Sequence, residues 1–221
     1  MKLLISALTK FICGVLAVGL LVFLPAGTFS YPGALLLCGL LFVPMLILGI
    51  VLYMKAPELL KKRLASKEKE KTQKGVVAFS GLAFILSFVL SGLDFRFGWS
   101  EVPTWLIILA SAVFLISYGL YAEVMRENAY LSRNIEIQEG QKLIDTGLYG
   151  IVRHPMYTAT VFMFTAIPLV SGSWYGLAPM LTYPVVIVIR ILNEEKVLSE
   201  GLEGYIDYKK KVKYRLLPFI W

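Results

Sequence analysis

Cysteine, histidine and charge are all scarce in this chain. Two cysteines and one histidine among 221 residues are too few for a structural zinc or a disulfide framework, so no metal site is expected. No GxGxxG run and no phosphate-loop signature occurs, which excludes the dinucleotide and nucleotide folds built on those glycines. Charged residues make up only 17%, where a soluble domain carries about 25%. There is no repeat, no long linker and no polar block large enough to be a soluble domain. Together these absences exclude a soluble enzyme, a disordered chain and a secreted disulfide scaffold.

What is present is apolar. Hydrophobic residues reach 57%, against roughly 45–50% in soluble domains, and they are gathered in blocks of membrane-spanning length. The blocks predict about six spans, at 11–24, 33–54, 75–93, 103–125, 157–171 and 174–192. The net charge of +7 is sorted by these spans, since 21 of the 22 Lys and Arg residues fall on one side and only Arg96 on the other. By the positive-inside rule that side is the cytoplasm, with both termini inside. Anionic membrane lipids account for the basic excess without any nucleic acid. The first span also has the flanks of a signal peptide, but removing it would upset this sorting, so an uncleaved span is expected. Cys13 and Cys38 lie in different spans at different depths and read as small apolar residues, not as a bridge. Trp99 and Trp105 fit an interfacial aromatic belt.

Two regions follow, an anonymous four-span region at 1–125 and a second region at 126–221. In the first, the 55–74 segment KAPELLKKRLASKEKEKTQK is a charged loop with helix-compatible Glu and Lys spacing. In the second, the polar stretch 126–156 leads into two short spans interrupted by Pro168, Pro179 and Pro184. Such spans are tolerated where helices pack on one another or line a cavity, which predicts a tight helical hairpin. Further on, Leu198, Leu202, Tyr205, Tyr208 and Val212 form one apolar stripe. That stripe predicts an amphipathic C-terminal helix lying in the inner interface.

Chemistry concentrates at two places. In the run GLYGIVRHPMY, Pro155 stands where a helix should begin and His154 at its N-cap, where free N–H groups and the helix dipole favour an anion. A contact of Arg153 with lipid phosphate and a plain capping role for His154 explain the same residues. In RILNEE, Arg190 and Glu194 share a helix face at spacing i,i+4, which also suits a salt bridge anchoring the helix. Because the two spans are adjacent, both clusters fall at one end of the hairpin. Cations, carboxylates and Tyr149 and Tyr157 would then converge there on a nucleotide-like ligand.

The run GLYGIVRHPMY, then Arg-x-x-x-Glu-Glu, Tyr-x-x-Tyr and a closing Arg-Leu-Leu-Pro, resembles the isoprenylcysteine carboxyl methyltransferase family over residues 134–221. GLDFRFGWSEVP is similar to its bacterial branch, and phospholipid methyltransferases are related. The resemblance implies an all-α integral membrane enzyme of a bacterial or archaeal cell membrane, using S-adenosyl-L-methionine. It implies that His154, Pro155, Met156 and Tyr157 line the cofactor site with Tyr149, Gln141, Lys142, Leu143 and Ile144, and that Glu194 closes it. Gln138 matches a cofactor-contacting glutamine once a gap of a few residues is allowed. Arg190 matches an arginine facing a lipophilic methyl acceptor. Thr158 departs from the small glycine usual after the tyrosine, which puts the fine shape of the pocket in doubt. A carboxylate acceptor needs no base; an amine acceptor makes Glu195 or His154 the candidate base. Two other readings stay open: an NADPH-dependent reductase, since membrane sterol reductases look similar in the same stretch, and a non-enzymatic membrane scaffold.

Overall fold

The computed structural model describes residues 1–64, 71–132, 135 and 137–221, and for Lys71 and Thr72 the backbone alone. Positions 65–70 of the expected charged loop, and Arg133, Asn134 and Glu136 of the polar stretch, lie outside the described residues. Among those described, all regular structure is helical. The helices are α1 (Lys2–Ala26), α2 (Pro32–Lys55), α3 (Pro57–Leu64), α4 (Lys71–Phe97), α5 (Thr104–Glu127), α6 (Pro155–Ser171), α7 (Trp174–Met180), α8 (Tyr183–Gly201) and α9 (Tyr205–Lys211).

Among the described residues five candidate spans, against the six or so expected, are long and apolar enough to cross a membrane: α1, α2, α4, α5 and the combined stretch Trp174–Gly201. The remaining apolar helix, α6, has only 17 residues, about 26 Å at 1.5 Å per residue, against a hydrocarbon core of roughly 30 Å. The first span starts at Lys2 instead of residue 11, because the polar residues before it cost little in a terminal helical turn. α8 continues to Gly201, nine residues past the expected end at 192, since LNEEKVLSE is rich in good helix formers. Glu194 and Glu195 are therefore inside a helix.

The spans differ in how much protein covers them. Only 6% of the most apolar window of α1 is buried, against 33% for α4 and for Trp174–Gly201. Leu16, Leu20 and Leu24 are exposed along α1 and face what would be lipid. The main core joins Val22, Leu37, Phe88, Phe114, Ile167 and Val170 from α1, α2, α4, α5 and α6. Close helix approach depends on glycine at Gly33, where a Cβ would meet the Ser171 carbonyl oxygen at 2.2 Å.

The expected hairpin is present. α6 ends at Gly172, and Ser173 caps α7 by accepting the Gly176 N–H. At this end Asp94 is almost fully buried and accepts hydrogen bonds from Ser100 N (2.7 Å), Ser100 Oγ (2.6 Å) and Ser173 Oγ. Nearby, Tyr31 Oη donates to the Ser171 and Ser91 carbonyls at 2.7 and 3.2 Å. These bonds clasp the ends of α2, α4 and α6. Cys13 and Cys38 are free thiols.

Candidate active site

The opposite, basic end holds the site. α6 begins as the sequence predicts, with His154 at the N-cap and Pro155 at the first helical position. Before it, a 3₁₀ turn at Gly147–Gly150 buries Tyr149. Gly147 sits at φ 54°, and a Cβ there would lie 1.7 Å from the Glu127 carboxylate, which accepts the Leu148 N–H. Glycine is required on both counts. The chain from 213 to 217 returns to this point, with Arg153 N and His154 N donating to the Tyr214 and Arg215 carbonyls at 2.9 Å.

Beneath these residues lies a buried charge cluster. Glu195 Oε1 accepts from Arg153 Nε at 2.7 Å and stands 3.4 Å from His154 Nε2, while Oε2 accepts from Arg215 Nε at 2.9 Å. Arg153 is held further by the Val212 carbonyl at 2.9 Å. Both oxygens of Glu195 are thus committed to neighbouring cations and the imidazole, and Glu195 does not line the cleft described next.

Glu194, one residue earlier and about 100° round the helix, faces that cleft instead. Its Oε2 accepts from Tyr157 Oη at 2.6 Å, and the same hydroxyl accepts from Arg190 Nε at 2.8 Å. Arg190 Nη1 donates to Gln73 Oε1 at 2.8 Å. A guanidinium, a phenol and a carboxylate are linked in a row, fastened to α4 by Gln73.

The cleft is lined by nearly all the residues singled out from the sequence: Gln141, Lys142, Leu143, Ile144, Tyr149, His154, Met156, Tyr157, Arg190 and Glu194. Besides Glu195, two singled-out residues are close but do not line it. Gln138 donates from its side-chain amide to the Tyr130 carbonyl and from its backbone N–H to Gln141 Oε1 at 3.0 Å; Pro155 is buried at the start of α6. Arg153, a candidate anion donor beside His154, is in the wall, and so are Tyr205 and Tyr208, which were expected on an interfacial stripe instead. The apolar stripe that carries the two tyrosines does not run as one helix. It breaks at Leu202–Gly204, where Gly204 adopts φ 79°, and its residues pack with Leu143 and Leu198. The stripe closes the cleft.

Tyr208 Oη donates to the Tyr149 carbonyl at 2.7 Å, and Tyr149 Oη accepts from Asn128 at 2.9 Å. Tyr205 Oη is buried with no hydrogen-bond partner among the described residues. Burial pushes all three phenols well above their usual value, so they remain neutral donors. An unpaired buried hydroxyl costs about 1–3 kcal/mol and marks where a ligand acceptor would sit.

A second cavity of about 400 Å³ adjoins the first and shares Ser132, Met156, Tyr157 and Arg190 with it. Its far walls are apolar. Phe84, Phe164 and Tyr183 pack edge to face with centroids 4.8–6.0 Å apart, joined by Val76, Val77 and Ile187. Sequence reasoning missed Gln73, Phe84 and Arg63 of this region, all from the N-terminal half, where no motif flagged them.

The phospholipid methyltransferase family model matches residues 105–203, which includes α5, the polar stretch, α6 and α8. The chain is also similar to a Delta(14)-sterol reductase of Methylotuvimicrobium alcaliphilum, with 22% identity over 136 residues, covering 55% of this chain and 32% of the reductase. The chain therefore spans about a third of the length of that curated relative.

Proposed function

We propose that this chain is an integral membrane methyltransferase with S-adenosyl-L-methionine in the polar cleft and a lipophilic acceptor in the apolar cavity. The observation that carries this reading is the junction of the two: a polar cleft and an apolar chamber meet at Met156, Tyr157 and Arg190. The match to the methyltransferase family supports it. Under the positive-inside rule the basic end is cytoplasmic, so the polar ligand comes from the cytosol and the acceptor from the bilayer.

The cleft residues suit that cofactor. The Tyr205 hydroxyl has no partner among the described residues, Leu143, Ile144 and Leu198 offer apolar surface for a base, and Glu194 suits hydroxyls or an amine. The cavity volume of the cleft is about 100 Å³, below the roughly 300–1,000 Å³ typical of small-molecule sites. Binding a nucleoside therefore requires the cleft to widen. Held by Tyr205, Glu194 and the apolar wall of Leu143 and Ile144, S-adenosyl-L-methionine would supply an activated methyl group on its sulfonium for transfer to the acceptor.

The remaining work is positioning, worth up to about 7–11 kcal/mol when alignment is good. Arg190 is held by Tyr157 and Gln73 and orients an acceptor carboxylate, such as that of an isoprenylcysteine, by charge-assisted bonds. A carboxylate is already ionised and needs no base. Glu195 braces Arg153, His154 and Arg215 beneath the cleft. A phospholipid or other small lipophilic acceptor fits the same chamber.

The similarity to a sterol reductase favours one alternative, an oxidoreductase that binds NADPH in the same cleft. Titrating purified protein with S-adenosyl-L-methionine and NADPH in parallel separates the two. Saturable S-adenosyl-L-methionine binding, lost in Glu194→Ala at unchanged thermal stability, is expected, as is Arg190→Ala binding normally with lower turnover. NADPH binding alone would transfer the protein to the reductases, and binding of neither would point to a scaffold.

A further inference from the structure

We infer that Arg63, on α3 in the otherwise anonymous N-terminal half, reads the headgroup of the acceptor and requires it to be anionic. This deepens the acceptor chamber proposed above and rests on it. Arg63 is half-buried and lines the chamber together with Arg190. Its Nη1 donates to the Ser132 carbonyl at 3.3 Å and approaches Met156 Sδ at 3.7 Å, while Nη2 donates to Tyr121 Oη. The guanidinium lies 5.5 Å from the Tyr121 ring centroid.

Every one of these partners is neutral. A guanidinium has five N–H donors, and the described bonds of Arg63 leave part of that set available. No acidic side chain lines the chamber among the described residues. A cation withdrawn from water into an apolar chamber is costly unless an anion reaches it. The contact with Met156, which also lines the cofactor cleft, places that anion beside the junction where transfer is proposed. Arg63 presents a planar fork suited to two-point contact with a carboxylate or a phosphate. The segment holding it, α3, connects the first two spans to the rest, so the fold brings Arg63 to Met156 across 93 positions.

The test is equilibrium binding in nanodiscs of neutral zwitterionic lipid, using the fluorescent carboxylate cis-parinarate, with lysophosphatidate as a phosphate competitor and oleylamine as a cationic one. Wild-type protein is expected to bind parinarate saturably. Arg63→Gln should weaken that binding about 10- to 100-fold, the range for lost charge-assisted hydrogen bonds. Arg63→Lys should recover part of it, and Arg126→Gln, a surface arginine paired with Glu123 outside the chamber, should change nothing. Displacement by lysophosphatidate identifies a phosphate-tolerant site; failure of it to displace restricts the headgroup to carboxylates. Equal binding by wild type and Arg63→Gln, or stronger displacement by oleylamine, overturns the inference. Thermal melting of each variant identifies any that fail to fold, and Arg63→Lys then carries the comparison. S-adenosyl-L-methionine binding is measured on the same samples: its loss in wild type would end the methyltransferase reading while leaving the parinarate result to judge Arg63.

Discussion

Two buried carboxylates at opposite ends of the molecule are satisfied in different ways. Asp94 is held by two serine hydroxyls and a backbone N–H, with no ion-pair partner among the described residues. Glu195 is held by two arginines and the histidine. At the first end Asp94 is satisfied entirely by neutral donors of the protein. At the second, charge is packed under a cleft whose wall carries a Tyr205 hydroxyl with no partner among the described residues. A clasp needs to be complete within the protein, whereas a binding site must leave some of its polar capacity for the ligand. That difference, more than the number of polar residues, separates the structural end from the functional one.

Breaking the charge cluster should have the largest effect. Glu195→Ala leaves Arg153 buried without a counter-charge, a loss of about 3–5 kcal/mol, and should show as a steep fall in melting temperature and in the yield of purified protein. Asp94→Ala should cost less, about 1–3 kcal/mol, and spare ligand affinity, measured by melting with and without S-adenosyl-L-methionine. An affinity loss there would mean that the two ends are coupled. Gly147→Ala forces a side chain into a left-handed turn and against Glu127, at a cost of about 1–2 kcal/mol from the backbone alone. It should also displace Tyr149 and weaken binding. Tyr205→Phe should be the mildest. It removes a buried hydroxyl with no hydrogen-bond partner among the described residues, so stability rises, by up to about 1–3 kcal/mol, while ligand affinity falls several-fold in calorimetry. Unchanged affinity would show that this hydroxyl does not face the ligand.

Legibility was uneven and the reasons are physical. The start of α6 was readable because proline and its preceding residue restrict the backbone locally. The hairpin was readable because length and hydropathy are properties of a segment. Glu194 was expected in the cleft and lies there, yet Glu195 was treated as a candidate base and is bound beneath it. Adjacent helical residues point about 100° apart, and choosing between them requires knowing how α8 is rotated. The stripe from Leu198 to Val212 was visible as a pattern, but an apolar stripe does not say whether it faces lipid or protein. Its break at Gly204 and its packing on Leu143 turned it inward.

By itself the sequence determined what depends on local or summed properties: an all-helical membrane-embedded chain, basic residues sorted to one side, and a histidine capping a proline-initiated helix. Only the tertiary structure decided which residues meet. It brought Gln73 to Arg190 across 117 positions, set Arg63 beside Met156, and placed Tyr205 in the cleft wall. Contacts between distant segments are chosen by how helices rotate and pack against each other. In lipid-facing helices that are apolar on every side, the sequence carries little signal of that rotation, because any face can be buried at similar cost.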